Sequence, residues 1–315
     1  MMRQEKVYDM LVLGAGPAGL TAAIYAARSR LSVLVIEQML SGGQIATTEK
    51  VENYPGFPEG IGGLEFGQRL EEQARNFGTE MVLAMVEKVS LKGELKEVQT
   101  TEGTFRGLTL LIATGTRARP LGVPGEQELK GRGVSYCVTC DGSFFQDKKV
   151  LVAGGGDSAL EEALVLTKFA AKVYIVHRRS ELRAIRILQD RVQKNDKIEV
   201  IYNTIVKEIS GRERVESATL HDVVDGKTWD VAVDGIFLYV GLIPNTDYLN
   251  GDLKKNEQGY LITSDAMETS LPGVFAAGDV REKGLRQVVT AVADGAIAAI
   301  SAVKYVDQLS DKEDK

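Results

Sequence analysis

Cysteine is scarce in this sequence: two residues among 315, Cys137 and Cys140, both within the single segment CVTC. A secreted fold stapled by several disulfides is thereby excluded. Histidine is equally rare, with only His177 and His221, so a four-ligand zinc site around the cysteines is poorly supplied. Positive charge is not in excess, since 38 Lys and Arg stand against 44 Asp and Glu for a net charge of -6. No basic stripe dominates, which argues against nucleic acid as a partner. Lys148-Lys149 and His177-Arg178-Arg179 are local exceptions. No apolar stretch approaches the roughly 20 residues that cross a bilayer. The opening MMRQEKVYDM lacks the long apolar segment and small-residue cleavage site of a secretory signal. Cytoplasmic residence, without a membrane partner, is expected.

What is present is a pattern that occurs twice. The first copy reads MLVLGAGPAG, with Gly14, Gly16 and Gly19; the second reads VLVAGGGDSA, with Gly154, Gly156 and Ala159. Each follows an apolar strand-like run and opens a helical pattern. Each then reaches a second strand that ends 21 positions after the middle glycine, at Glu37 and at His177. Residues 8–37 and 149–177 are therefore predicted to be βαβ units with right-handed crossovers. At 315 residues the chain is long for one core, so two domains are expected. The stretch Thr116–Gly125, with two prolines and two glycines, predicts a first interdomain crossing, and LIPNT near Pro244 a return. A helix from about Gly63 to Phe77 and a last helix from Gln287 to Tyr305 complete the pattern. The expected fold is α/β: two Rossmann-like nucleotide-binding domains, one inserted into the other.

The physical logic of the two copies differs at one end. In both, a glycine turn lets backbone approach a pyrophosphate at a helix N-terminus. Glu37 can accept hydrogen bonds from ribose hydroxyls and would repel a 2′-phosphate, so the first site prefers FAD or NAD over NADP. At the matching offset the second copy has His177, Arg178 and Arg179, with Arg183 expected a helical turn further on. Arginine forks match phosphate oxygens, so this end selects a 2′-phosphate. The offset is shared and the charge is opposite.

Cys137 and Cys140 have disulfide-compatible spacing, and in YCVTCDG the acid Asp141 follows directly. An acid beside a thiol can exchange a proton as sulfur becomes thiolate, the reactive form. Zinc binding and two inert buried cysteines are the rival readings.

Taken in order, GAGPAG, SGGQIATTEKVENYPGF, CVTCDG, GGGDSALEEA, HRRSELRA and GVFAAGDVREKGLRQVVTAVADGAIAA cover nearly the whole length. In these motifs the chain resembles the low-molecular-weight thioredoxin reductases of the bacterial and archaeal type. The resemblance implies FAD bound by residues 1–117 and 246–315, NADPH bound by an inserted 118–245 that carries the redox pair, and a homodimer. It further implies that Gly14, Gly16, Pro17, Ala18, Gly19 and Glu37 hold FAD, with Gly43, Gln44, Asn53, Thr114, Gly115, Asp279, Arg286, Gln287 and Val288 around the flavin. Gly154, Gly156, Asp157, Ser158, His177, Arg178, Arg179 and Arg183 are implied for NADPH. In the family's route NADPH reduces FAD, Cys140 faces the flavin, Cys137 attacks the disulfide of thioredoxin, Asp141 serves as acid–base, and the inserted domain rotates about its crossings. The Val138-Thr139 pair between the cysteines departs slightly from the family's usual choice. A flavin-dependent dithiol oxidase or a reductase of another disulfide, on the same fold, is the alternative; a non-catalytic redox sensor is a more distant one.

Overall fold

The computed structural model describes residues 6–249 and 251–313. The chain divides into two compact units, Met1–Arg117 with Ile243–Lys315, and Ala118–Leu242.

In chain order the first unit opens with β1 (Val7–Leu13), α1 (Pro17–Arg28), β2 (Val33–Glu37), α2 (Gly63–Asn76), β3 (Glu80–Leu83), β4 (Val86–Ser90), β5 (Lys96–Thr100), β6 (Gly103–Ile112) and β7 (Thr116–Ala118). The second unit contributes β8 (Val134–Ser135), α3 (Val138–Asp141), β9 (Lys149–Gly154), α4 (Asp157–Leu166), β10 (Lys172–Val176), α5 (Arg186–Gln193), β11 (Ile198–Ile201), β12 (Thr204–Ser210), β13 (Ser217–Asp222), β14 (Thr228–Ala232) and β15 (Gly235–Tyr239). After β16 (Leu242–Pro244), the first unit closes with β17 (Val274–Ala276) and α6 (Val288–Glu313).

The outer sheet runs β3-β2-β1-β6-β5-β4, with β17 also on β6. β1, β2, β3, β6 and β17 are parallel, whereas β5 turns back antiparallel on the first half of β6. Met10, Leu11, Val12 and Leu13 of β1 are fully buried, as expected of a central parallel strand covered on both faces. The inserted sheet is parallel, β11-β10-β9-β15-β8, beside an antiparallel β12-β13-β14. The two passages of the chain run side by side as β7 and β16. Each nucleotide-type βαβ unit therefore sits within the parallel part of its own sheet.

α1 is alanine-rich on the face it turns to α6. Ala18, Ala22 and Ala26 pack in one cluster with Ala291, Ala298, Ala299 and Ala302. A Cβ on Gly295 would lie 2.2 Å from the Ala18 carbonyl oxygen, so only glycine permits this approach. α6 also corrects the expectation about apolar stretches. Its segment Val288–Asp311 contains an 18-residue window with a mean hydropathy of 1.4 and is long and apolar enough to cross a membrane by length and composition. The charges of Asp294, Lys304 and Asp307 interrupt the run in the sequence, but its average is still high. One face of this helix is the stripe buried against α1.

Candidate active site

The turn between β1 and α1 shows why its glycines are needed. Gly14 has φ +103°, and a Cβ there would meet the Ala113 carbonyl oxygen at 2.6 Å. A Cβ on Gly19 would lie 2.0 Å from the Gly14 oxygen, so helix and turn are in contact. Gly16 opens outward, its nearest neighbour being the Gly43 Cα at 4.0 Å. Pro17 stands at the first helical position, Ala18 is buried behind it, and no side chain caps the helix N-terminus. That leaves an uncovered, positively polarised backbone cradle of the kind a pyrophosphate fills. Glu37 is fixed at the end of β2. Its Oε2 accepts from Ala15 N at 2.8 Å, and Oε1 from Gln38 N and Met39 N at 2.8 and 2.9 Å.

Residues far apart in sequence gather around this cradle. Gly42 N donates to Ala15 O at 2.7 Å, bringing the long loop and Gly43 against the turn. Gln44 Nε2 donates to Thr116 Oγ1 at 2.7 Å, and Asn53 Nδ2 to Gln287 Oε1 at 3.0 Å. Thr114 Oγ1 donates to Asn245 O at 2.9 Å, and Asn245 N donates to the Gly115 carbonyl at 3.0 Å. Val288 begins α6 next to Gln287. Arg286 lies over the Tyr260 ring at 4.0 Å.

Two buried polar atoms here, Asp279 Oδ1 and Arg286 Nε, have no hydrogen-bond partner. Burial raises the Asp279 carboxyl above its ordinary range, against the pull of Lys283 and Arg286. Orphaned polar atoms beside an open glycine cradle fit a dinucleotide with hydroxyl and phosphate groups. Sequence reasoning missed what holds the Asp279 turn: Asp294 accepts from Gly278 N at 3.0 Å, Lys283 Nζ at 2.9 Å and Arg281 Nη1 at 3.1 Å. Its one signal was an acid within an apolar helical stripe.

The second turn follows the same plan with a different rim. Gly154 packs against Ala159, Gly156 opens outward, and α4 again lacks a side-chain cap. Asp157 Oδ1 accepts from Ile185 N at 2.8 Å, and Ser158 is exposed. His177 is 5% exposed, tucked under Gly155, where a Cβ would meet its Nδ1 at 2.3 Å. Burial first, then the nearby Arg183, pushes its pKa down, so it is neutral at physiological pH. The positive rim is therefore Arg178, Arg179 and Arg183, all exposed. Arg183 is not on a helix as expected: the chain from 177 to 185 is irregular, and Arg183 N donates to Gly155 O at 2.7 Å, before α5 begins at Arg186. Hydrogen bonding to the glycine turn competes successfully with helix formation there.

Cys137 and Cys140 form a disulfide with Cα atoms 5.4 Å apart, Cys137 half-buried and Cys140 exposed. Cys140 N donates to Cys137 Sγ at 3.1 Å. Asp141 ends the short α3, and its Oδ2 accepts from Ser135 Oγ at 2.6 Å. Tyr136 donates to the buried Glu126, which also accepts from Leu121 N and Gly122 N. Burial opposes ionisation of Glu126, but these donors outweigh it and hold the carboxyl below its usual range.

One chain that carries a dithiol and two dinucleotide-type turns has the make-up of a nucleotide-dependent disulfide oxidoreductase. The family model for pyridine nucleotide-disulphide oxidoreductases matches residues 8–295. The chain belongs to that family. It is 48% identical to the thioredoxin reductase of Bacillus subtilis over 311 residues, 98% of each chain. It is equally identical to that of Listeria monocytogenes over 313 residues, covering 99% of this chain and 98% of the relative. Among solved structures, the thioredoxin reductase of Lactococcus lactis is 44% identical with a TM-score of 0.94, covering 96% of this chain and 99% of that one. The thioredoxin reductase of T. acidophilum follows at 35% and 0.91, with 97% and 100% covered. The chain is thus a low-molecular-weight type oxidoreductase with two Rossmann-like domains.

Proposed function

We propose that this chain takes electrons from NADPH, through FAD, to the Cys137–Cys140 disulfide and on to the disulfide of thioredoxin or a similar small protein. The observation that carries the reading is that one disulfide, in a chain with two dinucleotide turns whose rims have opposite charge. FAD is assigned to residues 1–117 and 246–315, held by Gly14, Gly16, Pro17, Ala18, Gly19, Glu37, Gly43, Gln44, Asn53, Thr114, Gly115, Asp279, Arg286, Gln287 and Val288. NADPH is assigned to residues 118–245, through Gly154, Gly156, Asp157, Ser158, His177, Arg178, Arg179 and Arg183. When bound, the flavin supplies two-electron transfer between nicotinamide and disulfide.

The rest is done by side chains of this chain. Two electrons open the Cys137–Cys140 bond. The Cys137 thiolate then attacks one sulfur of the partner's disulfide, forming a mixed disulfide and expelling the other sulfur as a thiolate. Cys140 attacks the Cys137 sulfur, which remakes the internal bond and releases the second partner thiolate. Asp141, next in sequence to Cys140, holds and returns the protons that these sulfurs exchange. We place the protein in the cytoplasm as a homodimer, which sedimentation at working concentration tests.

The deciding experiment is an absorption titration. The flavin colour should bleach with NADPH and return when oxidised thioredoxin is added. A protein that stays colourless after incubation with FAD, or a bleached one that thioredoxin cannot reoxidise, overturns the proposal.

A further inference from the structure

Ser135 is 5% exposed and lies at the end of β8, two residues before the redox pair. Its hydroxyl has one proton and two close acceptors, Asp141 Oδ2 at 2.6 Å and the Cys137 carbonyl at 3.2 Å. The shorter, charge-assisted contact takes the proton. The same oxygen accepts from Cys137 N at 3.1 Å. One buried hydroxyl thus ties the backbone of the first cysteine to the carboxylate behind the second. Asp141 is held by this single side-chain donor, and among the described residues its Oδ1 accepts no hydrogen bond and stays available to a proton.

We infer that Ser135 is a positioning residue for thiol–disulfide exchange, acting through Asp141. It fixes the carboxylate relative to Cys137 and Cys140, so that a proton leaves or reaches sulfur over a short, constant path. Without the hydroxyl, Asp141 is free to turn into water. The inference rests on the proposed role of the cysteines but needs no bound cofactor.

The test uses the full chain with its disulfide reduced by a small dithiol, freed of reductant and mixed with oxidised thioredoxin. The reoxidation rate is compared for wild type, Ser135→Ala, Asp141→Asn and the double variant. Ser135→Ala should slow exchange at saturating thioredoxin by about tenfold, with half-saturation unchanged. The double variant should be no slower than Asp141→Asn alone, because a residue acting only through Asp141 has nothing left to position. Ser135→Thr, which keeps the hydroxyl, should recover the rate. Multiplying losses in the double variant, or a wild-type rate in Ser135→Ala, overturns the inference. A Thr variant as slow as Ala also counts against it. If wild type itself does not exchange with thioredoxin, the proposed function fails instead, so the two failures are distinct.

Discussion

At the scale of single residues, the second nucleotide site derives its charge from arginine alone. His177 is buried and neutral, so discrimination between NADPH and NADH falls to Arg178, Arg179 and Arg183. A hydrogen bond to a charged group contributes roughly 1.5–3 kcal/mol, and Arg forks on phosphate lie at the upper end. Arg178→Ala with Arg179→Ala should raise KM for NADPH on the order of a hundredfold and change KM for NADH by no more than a few-fold. Steady-state kinetics with both nucleotides decides it; equal losses would remove the 2′-phosphate assignment. Cys137→Ser gives a second check. It should abolish thioredoxin reduction while NADPH still bleaches the flavin, and loss of both would contradict the order of attack. The residues behind these predictions were legible because their spacing is local: a glycine turn, a strand, then an acid or a basic cluster. Asn245 and Ser135 were not. Asn245 binds Thr114 across 131 positions, and Ser135 owes its partner to the way α3 folds back on β8. No short window of sequence encodes the first contact, and the second, though only six positions apart, depends on the path of the chain between β8 and α3 and not on any periodic signal.

At the scale of elements, periodicity located α1, α2 and both βαβ units, since apolar strands and alanine-rich helices dictate them directly. It missed the turn of 3₁₀-helix at Gly43–Thr47 and the irregular path from His177 to α5, where backbone bonding to a neighbouring turn overrides propensity. The α1–α6 contact turns on one atom. Gly295→Ala would improve helix propensity by about 1 kcal/mol. The new Cβ, however, would lie 2.2 Å from a backbone oxygen, which no rotamer change can relieve. Overpacking of this kind costs about 1–3 kcal/mol. The clash should win, lowering the melting temperature by several degrees. Ile300→Ala, at an exposed position of the same helix, is the control and should change little. Equal melting temperatures for Gly295→Ala and wild type in a calorimeter would show that the two helices can separate freely.

At the scale of the whole chain, the insertion was legible in composition, because two prolines and two glycines cluster where the chain leaves the outer unit and a single proline, Pro244, marks its return. The pairing of these passages as β7 and β16 was not, since three-residue strands carry no periodic signal. Each unit has apolar clusters of its own, one set centred on Leu111 and Leu110, the other on Val152 and Leu151. Two cores and two proposed ligands lead to a separable thermodynamic response. A ligand that binds only the native form stabilises it by about 2.7 kcal/mol at a hundred times its Kd. Domains of this size then melt roughly 5–10 °C higher. In calorimetry of the ligand-free protein, adding FAD should raise the transition of the outer unit, and adding NADP should raise that of the inserted unit. Gly16→Val should cancel the first shift alone, because its side chain would enter the open cradle at the start of α1. Arg178→Ala with Arg179→Ala should weaken the second alone. If both ligands move one common transition by the same amount, the assignment of one nucleotide to each unit is wrong.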